Sequence, residues 1–139
     1  MALAFRNVDA GVGDPVESWP QEALLAALER GSIGDWRRIV RVIEVDPWGP
    51  VARGIEEILT YSRPYGVDVL MDMALANARA AADKRDREEA AARVREAFHR
   101  SGMSVADFAA RIGTSRSRMS TYLSGKVTPS AALLIRMER

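Results

Sequence analysis

Arg116, Ser117, Arg118 and Thr121 occupy the outward side of one short amphipathic stretch that starts at Ser115. A guanidinium can donate two parallel hydrogen bonds to guanine O6 and N7, which discriminates against a wrong base by ~1–3 kcal/mol. Hydroxyl side chains suit several bases and so specify little. No carboxylate interrupts this side. Such a surface fits a groove lined by phosphates and base edges. Arg116 or Arg118 would read a guanine, with Ser117 and Thr121 beside them. Ser115 can accept a backbone N–H as a helix cap or donate to a phosphate.

These side chains need elements that hold them still. Phe108, Ala109 and Ile112 make an apolar helix face. Gly113 follows where the chain must turn with almost no side chain, and Thr114 and Ser115 can cap a second helix. That helix directs Met119, Tyr122 and Leu123 inward, and Gly125 ends it. The spacing predicts two short helices around a tight turn. The second, about Ser115–Ser124, would lie in a major groove with its N-terminal end at the base edges.

From about Val94 to Met137 the chain resembles the Cro/C1-type (xenobiotic-response-element, XRE) family of helix-turn-helix transcriptional regulators. Ala109, Gly113, Ser115, Met119, Ser120, Gly125, Lys126, Pro129 and Ser130 carry the match. The resemblance implies a lambda-repressor-like domain. It also implies that Ser124, Lys126 and Thr128 lie in a loop laid against the DNA backbone, where with Ser115 they position the domain rather than read sequence. Two positions depart from the pattern. Val105 stands where the family often has a glutamine that touches the backbone or braces the reading helix. Leu123 stands where a glutamate is frequent, which removes a polar brace. The family usually adds a fifth helix; the sequence ends at Arg139, so the expectation is a domain without it, or a chain cut short.

The net charge of +1 hides an asymmetry. Residues 93–139 carry nine Arg or Lys against Glu96, Asp107 and Glu138, a net of +6; residues 1–92 hold 11 bases and 16 acids, a net of −5. A basic end beside an acidic one is the footprint of a nucleic-acid module joined to something else. Apolar residues are 47% of the chain, enough for a core, and no run is long enough for a membrane span. The start, MALAFRNVDAGVGD, lacks the basic and apolar regions of a secretory signal. Cysteine is absent, which fits a reducing cytoplasm. The expected location is cytoplasmic, at the nucleoid, and the Ala and Arg richness suggests a bacterial or phage origin.

The pattern predicts an all-α chain. Residues 1–17 read as a flexible arm, 18–80 as a small helical bundle for dimerisation or partner binding, 81–92 as a helical linker and 93–139 as the DNA-binding domain. A first helix is expected from Ser18, with Gln21 completing a capping box, to Gly31. Ser32 and Asp35 open a second, with Trp36, Ile39, Val40 and Ile43 inward, ended by Asp46-Pro47. A third runs from Pro50 to Ser62. A fourth begins near Val67, where Val69, Leu70, Met73, Ala74 and Asn77 share a face. It has no Gly or Pro until Gly102, so one helix of about 35 residues, roughly 50 Å long, is expected. Between Ala78 and Ala92 the apolar face is only alanine, either a solvated spacer, the favoured reading, or a close-packed seam. Ser104 with Asp107 should cap the next helix. The last helix should start at Pro129, capped by Thr128.

One small domain makes few contacts, so tight binding calls for a homodimer reading half-sites roughly 34 Å apart. The N-terminal helices are the expected pairing surface. Trp19, Trp36, Trp48, Tyr61 and Tyr65 could serve an interface or fill one bundle's core. Catalysis is not expected: His99 is the lone histidine, no nucleophile or phosphate-loop motif is present, and no cofactor or metal is called for. Asp68 and Asp72, like Asp83 and Arg87, read as solvated helix faces. The expected function is a double-stranded-DNA-binding regulator, acting as a repressor. The alternatives are an antitoxin whose N-terminal part binds a toxin while the basic end controls the operon, and a phage or prophage immunity repressor.

Overall fold

The computed structural model describes residues 3–5 and 10–139, and all its regular elements are helical. Seven α-helices follow a short 3-10 turn at Val16–Ser18: α1 (Gln21–Arg30), α2 (Ile33–Val45), α3 (Pro50–Ile58), α4 (Val67–Ser101), α5 (Val105–Ile112), α6 (Arg116–Ser124) and α7 (Ala131–Glu138). They fall into two compact units, Met1–Ala82 and Asp83–Arg139, and the division lies inside the 35-residue α4.

In the first unit, Leu24, Leu28, Ile39, Ile43, Ile55 and Ile58 meet in a core closed by Met71. The α1 boundary differs from the sequence expectation. Ser18 does not cap α1; its hydroxyl donates to the Pro15 carbonyl at 2.6 Å, and α1 starts only at Gln21 after Pro20. The cause is local, because the proline ring keeps the preceding Trp19 extended, at ψ 130°. At α2 the Asp35 carboxylate accepts from the Ser32 amide at 2.9 Å, as the capping pattern requires. The third helix ends earlier than expected, at Ile58. The Thr60 and Tyr61 amides bond to Glu57 and Ile58 in a tighter turn that uses the last carbonyls before Pro64. Gly54 permits α1 and α3 to meet closely, since a Cβ there would lie 3.2 Å from Leu24 Cδ1.

Part of the expected arm, residues 1, 2 and 6–9, lies outside the described residues. Residues 10–17 are not a free arm. Val16 is buried, the Trp19 indole donates to the Asp14 carbonyl, and Arg38 donates to the carbonyls of Val12 and Asp14 at 2.8 and 3.0 Å. Phe5 packs edge-on against Trp19, with ring centres 4.9 Å apart. Two of the tryptophans therefore serve the bundle itself: Trp19 is buried, and Trp36 donates to the Ala27 carbonyl at 2.9 Å. Trp48 is half exposed.

Along α4 the inward residues are Val67, Met71, Leu75 and Ala78, whereas Val69, Leu70 and Met73 are exposed. The alanine stretch is not simply a solvated spacer. Asp83 to Glu89 are exposed, but Ala78 and Ala82 are buried in the first unit and Ala91 in the second.

The second unit is built around Val94, Ala97, Phe108, Ala109, Ile112, Met119 and Met137. Its last helix starts two residues later than the sequence suggested, at Ala131 instead of Pro129. Ser130, not Thr128, is the cap, with its hydroxyl accepting from the Leu133 amide at 3.1 Å, and buried Pro129 precedes it. Arg93 on α4 grips Glu138 on α7 through two contacts, at 3.0 and 2.6 Å. That bond holds the Glu138 carboxyl below its ordinary pKa and the Arg93 guanidinium above its own.

Candidate nucleic-acid interface

The α5 helix opens on Ser104, whose hydroxyl accepts from the Asp107 amide at 3.2 Å, and buries Phe108, Ala109 and Ile112. It ends at Gly113 with φ 80° and ψ 33°, the left-handed region where a Cβ is strained. The Gly113 and Thr114 amides bond back to Ala110 and Ala109, so the turn leaves few free carbonyls. Two residues later Ser115 caps α6, its hydroxyl accepting from the Arg118 amide at 3.1 Å. The whole of α6 is held by fully buried Met119, with Tyr122 and Leu123 half-buried beside it. Met119 is thus the anchor that sets which side of α6 faces solvent.

That solvent side carries Arg116, Ser117 and Arg118, all exposed, with Thr121 partly covered. The Thr121 hydroxyl donates to the Arg118 carbonyl at 2.6 Å. It keeps lone pairs but no free proton, so toward any ligand it can act only as an acceptor. Among the described residues, neither Arg116 nor Arg118 forms a salt bridge or side-chain hydrogen bond. Several other arginines are committed, Arg63, Arg79, Arg87 and Arg93 to carboxylates and Arg38, Arg111 and Arg136 to backbone carbonyls, whereas Arg37, Arg53 and Arg100, like Arg116 and Arg118, make no such side-chain bond among the described residues. Two uncommitted guanidiniums therefore stand in the first turn of α6, each with its full set of donors.

Beyond α6, Gly125 adopts φ 79° and lies against Ala91, whose Cβ would be 3.4 Å from a Cβ at position 125. The Val127 amide returns to the Thr121 carbonyl at 3.2 Å and the Lys126 amide bonds to the Ser124 hydroxyl at 3.3 Å. Ser124, Lys126 and Thr128 are exposed along this turn. The fold thus brings Ser115, Arg116, Ser117, Arg118, Thr121 and these three residues onto one continuous stretch of α6 and its C-terminal turn. It adds a residue that spacing did not single out. Arg95, on α4, donates from Nη1 to the Leu123 carbonyl at 3.1 Å. The sequence marked Arg95 only as part of the basic end, because the contact spans 28 positions.

No helix is long and apolar enough to cross a membrane, and no group of three or more potential metal ligands is present among the described residues. Residues 75–139 match a family model described as a helix-turn-helix domain. No curated protein and no solved structure matches the chain.

Proposed function

Because residues 75–139 belong to a helix-turn-helix family of the Cro/C1/XRE-like group, we propose that the protein is a sequence-specific double-stranded-DNA-binding transcriptional regulator that acts as a repressor. It lays α6 in the major groove, reads bases with Arg116, Ser117, Arg118 and Thr121, and rests Ser115, Ser124, Lys126 and Thr128 on the sugar-phosphate backbone. The observation that carries this reading is the uncommitted pair of guanidiniums on the exposed first turn of α6. Free donors on a short, well-capped helix are what bidentate guanine recognition requires. Genome-wide occupancy of the tagged protein, followed by footprinting, tests it. A guanine-containing two-fold site is expected, and a folded protein that protects no sequence at moderate ionic strength sinks the reading.

Two-fold reading needs two copies, and we place the pairing surface on the first unit. The supporting observation is the apolar side of α4 turned from the core, where Val69 and Met73 are more than half exposed, with Leu70 and the fully exposed Tyr65 nearby. In the antitoxin reading, the same residues are covered by a toxin rather than a second copy. Light scattering of the purified chain separates the two: a dimer that Leu70→Glu with Met73→Glu converts to monomer supports pairing, and a wild-type monomer favours the other partner.

A further inference from the structure

We propose that Arg95 is a further contact to the DNA backbone: a guanidinium seated on the C-terminal end of α6, with N–H groups left over for a phosphate. The proposal rests on the reading of α6 as the DNA-facing helix.

The seat is the Leu123 carbonyl, 3.1 Å from Arg95 Nη1. It is one of the last carbonyls of α6, which lack partners within their own helix. The neighbouring ends are already used: the Thr121 carbonyl accepts from the Val127 amide and the Ser124 hydroxyl, and the Tyr122 carbonyl accepts from the Gly125 amide. No cation of α6 itself lies in its last turn. Arg95 therefore supplies, from another helix, both the missing donor and the positive charge that a helix C-terminus favours.

One bond does not exhaust the side chain, because a guanidinium carries five N–H donors in a fixed fork. Arg93, one residue pair earlier on α4, is spent on Glu138. Arg95 has no carboxylate within salt-bridge distance among the described residues. Leu123 offers it a backbone oxygen but no acid, so the charge is anchored and not neutralised. Arg95 is exposed, and the carbonyl that fixes it directly precedes the turn bearing Ser124, Lys126 and Thr128. A fixed, solvent-facing cation at the start of a phosphate-facing turn is suited to take a non-esterified phosphate oxygen.

The test uses the full chain and a short mixed-sequence duplex, so it does not depend on knowing the operator. Each phosphate neutralised contributes about 0.9 to the slope of log affinity against log salt. Arg95→Gln should lower that slope by about one relative to wild type and weaken binding equally on unrelated duplexes, while Arg95→Lys should restore most of the slope. A folded Arg95→Gln protein with an unchanged slope overturns the proposal. A second measurement needs no variant: the duplex should protect Arg95 from phenylglyoxal, read by peptide mass mapping, while exposed Arg37 of the first unit stays reactive. Equal modification of Arg95 with and without duplex overturns the proposal as well. If the wild type shows no salt-dependent duplex binding, the reading of α6 fails too, an outcome distinct from the loss of Arg95 alone.

Discussion

The Ser115 hydroxyl accepts the Arg118 amide at 3.1 Å, so the cap of α6 and one of its two exposed arginines are tied to the same atom. The N-terminal turn of α6, the proposed reading helix, is thereby fixed before any ligand arrives. Ser115→Ala should cost about 1 kcal/mol of stability, the usual loss for an N-cap. Ser115→Asp should keep the stability, because aspartate caps as well, but weaken DNA binding by placing a carboxylate near a phosphate. Thermal melts beside anisotropy titrations separate the two roles. Equal DNA binding by Ser115→Asp and wild type would remove Ser115 from the interface and leave it a cap only.

Among the described residues the Arg116 and Arg118 side chains have no hydrogen-bond or salt-bridge partner to lose, so truncating them should leave the fold intact. Replacing both with alanine should abolish preference for the cognate site and leave weak, salt-sensitive binding to any duplex. Each lost bidentate contact accounts for ~1–3 kcal/mol of discrimination. Competition between the cognate site and unrelated DNA reads this directly. A double variant that still selects the same site shifts the reading role to other residues.

Gly113 links the two helices at φ 80°, and a Cβ there would meet nothing closer than Arg136 Nη1 at 3.7 Å. The cost of Gly113→Ala is therefore conformational rather than steric, about 1–2 kcal/mol for a left-handed residue. The loss should appear in chemical denaturation with an unchanged m-value. Destabilisation well beyond this range would mean that the turn itself rearranges.

The two helices around Gly113 were legible because each signal there is local: a glycine at the turn, a hydroxyl cap and an apolar stripe within a few residues. The same holds for Ser32 with Asp35 and for Ser104 with Asp107. The sequence misled where two local signals competed. Ser18 and Gln21 have the spacing of a capping box, but Pro20 between them holds Trp19 extended. Thr128 and Ser130 both flank Pro129, and only the side chain of Ser130 reaches the third amide of α7. Contacts between distant positions left no local trace. Arg38 holding the Val12 and Asp14 carbonyls turned part of an expected arm into packed structure, and Arg95 meeting Leu123 joined positions 28 apart. On α4, Val69, Leu70 and Met73 share a face as apolar as that of Met71 and Leu75, and periodicity alone does not decide which of two such faces turns inward.

The Arg93–Glu138 pair gives a pH signature with a defined sign. The hydrogen bond from Arg93, with its positive charge, favours the ionised Glu138 and lowers its pKa below 4.5 in the folded state, while burial opposes this more weakly than the bond. A lowered folded-state pKa means that the pair stabilises the fold above the unfolded carboxyl's value. That contribution fades as the pH falls through the folded value. The pair lies on the surface, so its whole effect is small and salt-sensitive. The stability difference between wild type and Glu138→Gln should be constant near neutral pH, shrink below about 4.5, and vanish once the carboxyl is protonated in both states. The difference, rather than the raw acid curve, is the readout, because the Glu56 carboxyl is also held low, by the hydrogen bond from Arg79 on α4, and adds its own acid response. A wild-type advantage that persists unchanged at pH values where carboxylates are fully protonated would show that Glu138 acts through packing against α4 instead of through its charge.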